Sequence, residues 1–123
     1  MQITDETTDN KYMIQKCSSE GIVIDNSVYK NAMLVSPNTI SIKWPVENIR
    51  LLRIQHMNDV LNMKPKILII GSGNEQLYLD NKILFALYSN NIGCEVMKTT
   101  AACRTYNLLS MDNRNVCALL FPI

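Results

Sequence analysis

The stretch Lys66–Ile70 carries four consecutive aliphatic residues and stops at Gly71-Ser72-Gly73. Successive side chains of a strand point to opposite faces, so a strand can be apolar throughout only if both faces are covered. This segment therefore predicts a strand at the centre of a sheet with layers above and below. The chain that follows fits that frame. Asp80–Asn90 reads as a helix, with Asp80 as N-cap and Asn91 to Gly93 as its stop. Cys94–Met97 reads as a strand, Thr100 to Ser110 as a helix and Asn115–Phe121 as a last strand. The order is β-α-β-α-β. A connection of this length makes the strands 66–70 and 94–97 parallel, and both are expected in the sheet centre.

The first half has a different texture. Apolar runs at Tyr12–Cys17, Gly21–Ile24, Met33–Val35 and Ile40–Trp44 are short and separated by turn residues, including Asp25-Asn26-Ser27 and Ser36-Pro37-Asn38. Such spacing predicts antiparallel strands, ended by Trp44-Pro45 because proline cannot donate to a ladder. Asn48–Met63 reads as a helix through Leu52, Met57, Val60 and Leu61. The expected class is α/β, a mixed central sheet with N-terminal antiparallel strands ahead of β-α-β-α-β and helices on both faces.

With 123 residues, 47% of them hydrophobic and 19% charged, the chain suits one globular domain. That domain is expected over residues 12–123, behind a polar, flexible tail at 1–11. A net charge of +1 with mixed signs leaves no basic patch for nucleic acid. Cys17, Cys94, Cys103 and Cys117 have no CxxC spacing and His56 is the lone histidine, so no metal and no cofactor is expected. No apolar run nears the roughly 18 residues that cross a membrane. The acidic start MQITDETTDN has neither a basic nor an apolar leader segment, which favours a cytoplasmic location and reduced thiols.

Two segments are candidates for chemistry. Loops after parallel strands converge at one sheet end, where ligands of open α/β sheets bind. Gly71, Ser72 and Gly73 end one strand. Thr99 or Thr100 caps the next helix, and Cys103 and Arg104 sit in its first turns. Backbone N–H groups, a helix N-terminus and a guanidinium together form a candidate anion pocket. The competing reading is structural: a glycine pair after a strand serves as a turn, and Ala101-Ala102-Cys103 are small where a helix presses on a sheet. GSG lacks the lysine and third glycine of phosphate loops. Cys103 has no assured base, so no catalytic residue is assigned. Separately, Ile83–Tyr88 is apolar nearly all round. Either that helix is buried on every side, or Phe85 and Tyr88 face another chain.

Several segments resemble one known family. Ile69-Ile70-Gly71-Ser72-Gly73, then Ile92-Gly93-Cys94-Glu95-Val96-Met97-Lys98-Thr99, then Ala101-Ala102-Cys103-Arg104-Thr105-Tyr106-Asn107 and Arg114 are similar to the Mth938-like domain family. Gly21, Tyr29, Leu34-Val35-Ser36-Pro37 and Trp44-Pro45-Val46 extend the likeness to about residues 12–122. Lys98 stands where the family commonly has an acid. The resemblance implies a three-layer α/β fold. It also implies a role like that of the mitochondrial complex I assembly factors in the family, which act through protein contacts without established catalysis. The expected function is thus a non-enzymatic interaction factor, with respiratory complex subunits or a second copy of the chain as candidate partners. The acidic N-terminus suits a bacterial member. The alternative is a small-molecule anion binder, or an enzyme, using the 71–73 and 99–104 cleft.

Overall fold

The computed structural model describes residues 11–42 and 44–123. The expected tail at 1–11 falls almost wholly outside them. Its last residue, Lys11, is described, and its Nζ donates to the Ser110 carbonyl at 2.9 Å and to Asn113 Oδ1.

The chain opens with β1 (Lys16–Ser18), β2 (Gly21–Ile24) and β3 (Ser27–Tyr29), which form a small antiparallel sheet of their own. Asp25 and Asn26, at φ 50° and 66°, make the two-residue turn between β2 and β3. Positive φ at both central positions matches the right-handed strand twist, and Asp and Asn tolerate it. β3 has no apolar run to announce it and is additional to the expected strands. The hairpin β4 (Met33–Ser36) and β5 (Thr39–Ser41) follows and belongs to a second sheet.

Residues 48–63 are not one helix. Two 3-10 turns, Ile49–Leu51 and Ile54–Met57, precede a short α1 (Asn58–Met63). Asn48 caps the first turn by accepting from Arg50 N–H at 2.9 Å, and Leu52 leaves it with extended backbone. His56 Nδ1 accepts the Arg53 N–H at 2.9 Å and restarts the chain there. Local side-chain to backbone bonds of this kind compete with continuous helix.

The remainder is β6 (Ile67–Gly71), α2 (Asn81–Ser89), β7 (Gly93–Met97), α3 (Thr99–Met111) and β8 (Val116–Leu120). Asp80 Oδ1 accepts the Lys82 N–H at 3.0 Å and starts α2. Asn91, at φ 62°, ends it, with Asn91 N–H bonded to the Tyr88 carbonyl and Ile92 N–H to that of Leu87. This is a Schellman cap with asparagine in the left-handed position. Asn113, at φ 58°, closes α3 the same way through Arg114 N–H and the Leu109 carbonyl.

The second sheet has five strands in the order β5-β4-β8-β6-β7. β6 pairs in parallel with both β7 and β8, and β4 pairs antiparallel with β8 and β5. The sheet is mixed, and β6 and β7 are adjacent and parallel as expected. Their expected central placement holds for β6 but not for β7, which is the edge strand. β7 carries Glu95 on an exposed position, whereas all five residues of β8 are buried. A strand with a mid-strand carboxylate is accommodated where water reaches it, so Val116–Leu120 takes the inner position.

Alternate residues feed two cores. Leu34, Leu68, Ile70, Cys117 and Leu119 pack with Ile83 and Leu87 of α2 and with Met57 and Val60. Met33, Val35, Ile69, Ala118 and Leu120 pack against Ala102, Cys103 and Tyr106 of α3 and against Ile22 and Ile24 of the small sheet. Helical elements therefore lie on both faces, in three layers. Each fully buried aliphatic side chain here stabilises the fold by about 1.5–3 kcal/mol relative to exposure.

Candidate functional site

The segments 71–73 and 99–104 do meet at the carboxyl ends of β6 and β7. Gly71 closes β6 because nothing larger fits: a Cβ there would stand 2.8 Å from Thr99 Cα and Oγ1 and 3.1 Å from Ala102 Cβ. Small residues at 71 and 102 let α3 approach the sheet. Thr99 does not cap α3. Lys98 holds the N-cap position, and the Thr99 hydroxyl turns inward. It accepts the Gly73 N–H at 2.8 Å and donates to the Phe121 carbonyl at 2.7 Å.

The neighbouring donors are engaged in the same way. Ser72 N–H bonds to the Met97 carbonyl at 2.8 Å, and Ser72 Oγ donates to the Glu75 carbonyl at 2.6 Å while accepting the Leu77 N–H. Ser72 is 6% exposed and Thr99 is fully buried. Gly71, Ser72, Gly73 and Thr99 thus form an internal latch between β6, β7, α3 and the end of β8.

Thr100, Cys103 and Arg104 face elsewhere. With Ile14, Gln15, Lys16, Cys17 and Asn107 they line a groove of about 300 Å³ between α3 and β1. The single expected cleft is divided, its glycine half closed and its helix half open on the far side of α3.

The wall of this groove is built by residues whose role the sequence did not single out. Asn107 Oδ1 accepts the Ile14 N–H at 2.9 Å, and its Nδ2 donates to the Ile14 carbonyl at 2.8 Å. Tyr106 Oη donates to the Tyr12 carbonyl at 2.7 Å. The Tyr106-Asn107 pair therefore straps residues 12–14 along α3. Burial pushes the Tyr106 hydroxyl up, with Cys117 adding to the shift.

All four cysteines are free. Burial pushes the thiols of Cys94 and Cys117 up to about 12, aided at Cys94 by the Glu95 carboxylate. Cys103 is pushed further in the same direction, first by burial and then by the Cys17 thiol beside it. A buried thiol held protonated is a poor nucleophile toward molecules in solvent at neutral pH.

On the opposite face of the protein, α2 buries Ile83 and Leu87 and turns Phe85 and Tyr88 outward, 74% and 55% exposed. Tyr78, just ahead of the helix, is 90% exposed. The all-round apolar character of Ile83–Tyr88 thus reflects one covered side and one open side. A wider hollow of about 550 Å³ lies between the Ser18–Gly21 turn and Pro122. Among the described residues, no helix is long and apolar enough to cross a membrane.

Comparison with known proteins agrees with this architecture. NADH dehydrogenase (ubiquinone) 1 alpha subcomplex assembly factor 3 of Xenopus tropicalis is 28% identical over 111 residues, covering 89% of this chain and 60% of that protein. The chain thus spans about three-fifths of the length of that relative. A Francisella tularensis protein named "13 kDa major membrane protein" is 25% identical over 99 residues, with 80% of each chain covered. The NMR structure of a Xanthomonas campestris protein superposes with a TM-score of 0.87 at 26% identity, over 99% of this chain and 92% of that one. A Bordetella pertussis structure described as a Mth938-like domain gives 0.79 at 20% identity, over 90% and 85%. A family model described as "Protein of unknown function (DUF498/DUF598)" matches residues 14–121. With that match over nearly all of its length, the chain belongs to the DUF498/DUF598 family and has the Mth938-like fold.

Proposed function

We propose that this protein is a non-enzymatic interaction factor that acts in the cytoplasm and assists assembly of a respiratory complex of the complex I type. The observation that carries this reading is the outer face of α2, where Phe85 and Tyr88 stand in solvent on a helix anchored from beneath by Ile83 and Leu87. Exposed aromatic side chains on a rigid element are the usual anchors of protein interfaces. The relatives named assembly factor 3 support the choice of partner class. Affinity capture from the source organism, comparing wild type with the Phe85→Asp/Tyr88→Asp double variant, tests it. Complex I subunits recovered by wild type and lost with the folded variant are the expected outcome. A wild-type capture that contains no respiratory complex subunit overturns the reading. Light scattering of both proteins shows whether the same face pairs two copies of the chain.

A second reading is favoured by the placement of Lys16 and Arg104 on one groove with Thr100 and Asn107. Two cations and two neutral hydrogen-bonding side chains suit a small anion. Millimolar phosphate then raises the Tm of wild type by mass action, and Arg104→Ala loses that response. A wild type indifferent to phosphate, sulfate and carboxylates removes this reading and leaves the first untouched.

A further inference from the structure

The sheet sorts the four cysteines into two pairs of different character. Cys94 and Cys117 belong to the core beneath α2. Both lie opposite Leu68 on either side of β6, so their Cα atoms are about 9–10 Å apart, beyond disulfide reach. Cys17 and Cys103 belong to the core on the other face. Cys17 lies in the middle of β1, which packs on α3. Its thiol neighbours that of Cys103, and both line the groove flanked by Lys16 and Arg104. Cys17 is half-buried, whereas Cys103 is 3% exposed beneath it.

We propose that Cys17 and Cys103 form a reversible thiol–disulfide site whose co-reactant is a low-molecular-weight disulfide bearing carboxylate groups. Access fixes the order of events. The Cys17 thiolate, at the groove surface, attacks one sulfur of the small disulfide. That S–S bond breaks, one small thiolate leaves, and a mixed disulfide forms on Cys17. Cys103 Sγ then loses its proton to solvent and attacks Cys17 Sγ. The second small thiolate leaves and the Cys17–Cys103 bond closes. Two protein thiols are oxidised and one small disulfide is reduced to two thiols. Excess small thiol runs the sequence backwards. Lys16 and Arg104 attract the carboxylates of the co-reactant. The product bond ties β1, and with it the small sheet, to α3. Neither the interaction reading nor the phosphate-type reading is needed for this chemistry.

The test is incubation of the full chain with oxidised glutathione, followed by alkylation under denaturing, non-reducing conditions and peptide mapping. The expected result is a Cys17–Cys103 linked peptide, loss of two of the four alkylatable thiols, reversal by reduced glutathione, and a higher Tm. Cys103→Ala, checked for folding by circular dichroism, stops at one glutathione on Cys17, and Cys17→Ser takes up none. Wild type that keeps glutathione on Cys17 with Cys103 still alkylatable, or that keeps all four thiols, overturns the site. Uncharged hydroxyethyl disulfide reacts several-fold more slowly, and Arg104→Ala removes that difference. Equal rates for both disulfides with wild type overturn the carboxylate assignment.

Discussion

Gly73 donates its N–H to Thr99 Oγ1 at 2.8 Å, and Thr99 returns its own N–H to the Gly73 carbonyl at 3.0 Å. The same hydroxyl donates to Phe121 at 2.7 Å. One buried threonine thus satisfies a loop donor and a strand-end acceptor together. Thr99→Val keeps the shape and removes both bonds, leaving a buried N–H and a buried carbonyl unpaired. A loss of about 1–3 kcal/mol is expected. Urea denaturation measures it, and Thr99→Ser, which retains the hydroxyl, is expected to lose less.

Gly71→Ala tests the close approach of α3 to the sheet. The added methyl meets Thr99 backbone at 2.8 Å and Ala102 Cβ at 3.1 Å, neither of which is the free end of a flexible side chain. Overpacking of this kind costs about 1–3 kcal/mol. Thermal unfolding is expected to show a lower Tm, and Gly71→Ala with Ala102→Gly to recover part of it.

Phe85→Asp and Tyr88→Asp are expected to leave stability within about 0.5 kcal/mol of wild type, as exposed substitutions do. Leu87→Asp, two residues from Phe85 but fully buried, places an unpaired charge in the core and is expected to cost several kcal/mol. Circular dichroism melts on the three variants give the comparison. Large destabilisation by the two outer substitutions would remove α2 as a separable docking face.

Alkaline pH is expected to weaken the fold through its buried thiols. Cys117 rises from an ordinary value of 9.0 to about 12 because burial disfavours the thiolate. A folded pKa raised above the unfolded one means that the folded state holds its proton longer. The contribution is whole below pH 9.0 and is lost as pH rises from there to about 12. Cys117→Ala is expected to be less stable at neutral pH and to show a shallower alkaline decline than wild type. Parallel curves for the two proteins in denaturant titrations across that window would exclude the thiol as the source.

Residues 67–71, 81–89, 93–97, 99–111 and 116–120 were legible as elements because their signals are local. Apolar continuity, an Asp80 cap and asparagine stops act within one or two turns of the chain. Residues 48–63 were not legible as broken turns, since Asn48, Arg53 and His56 redirect the backbone through side-chain bonds that an apolar pattern does not encode. The cleft was half legible. Strand order brings Gly71–Gly73 to Thr99, but which way a hydroxyl turns depends on the carbonyl of Phe121, a residue distant in sequence.

By itself the sequence determined the order of elements, the parallel pairing of β6 and β7 and the family, because apolar runs and the AACRTYN segment are properties of contiguous chain. Only the tertiary structure decided that β7 is an edge, that Thr99 locks the glycine loop, that Phe85 and Tyr88 face solvent, and that Cys17 meets Cys103. Each of these depends on which surfaces of distant elements are covered. Burial and pairing arise between elements, so they exist only once β8 has taken the place beside β6 and α3 has settled against β1.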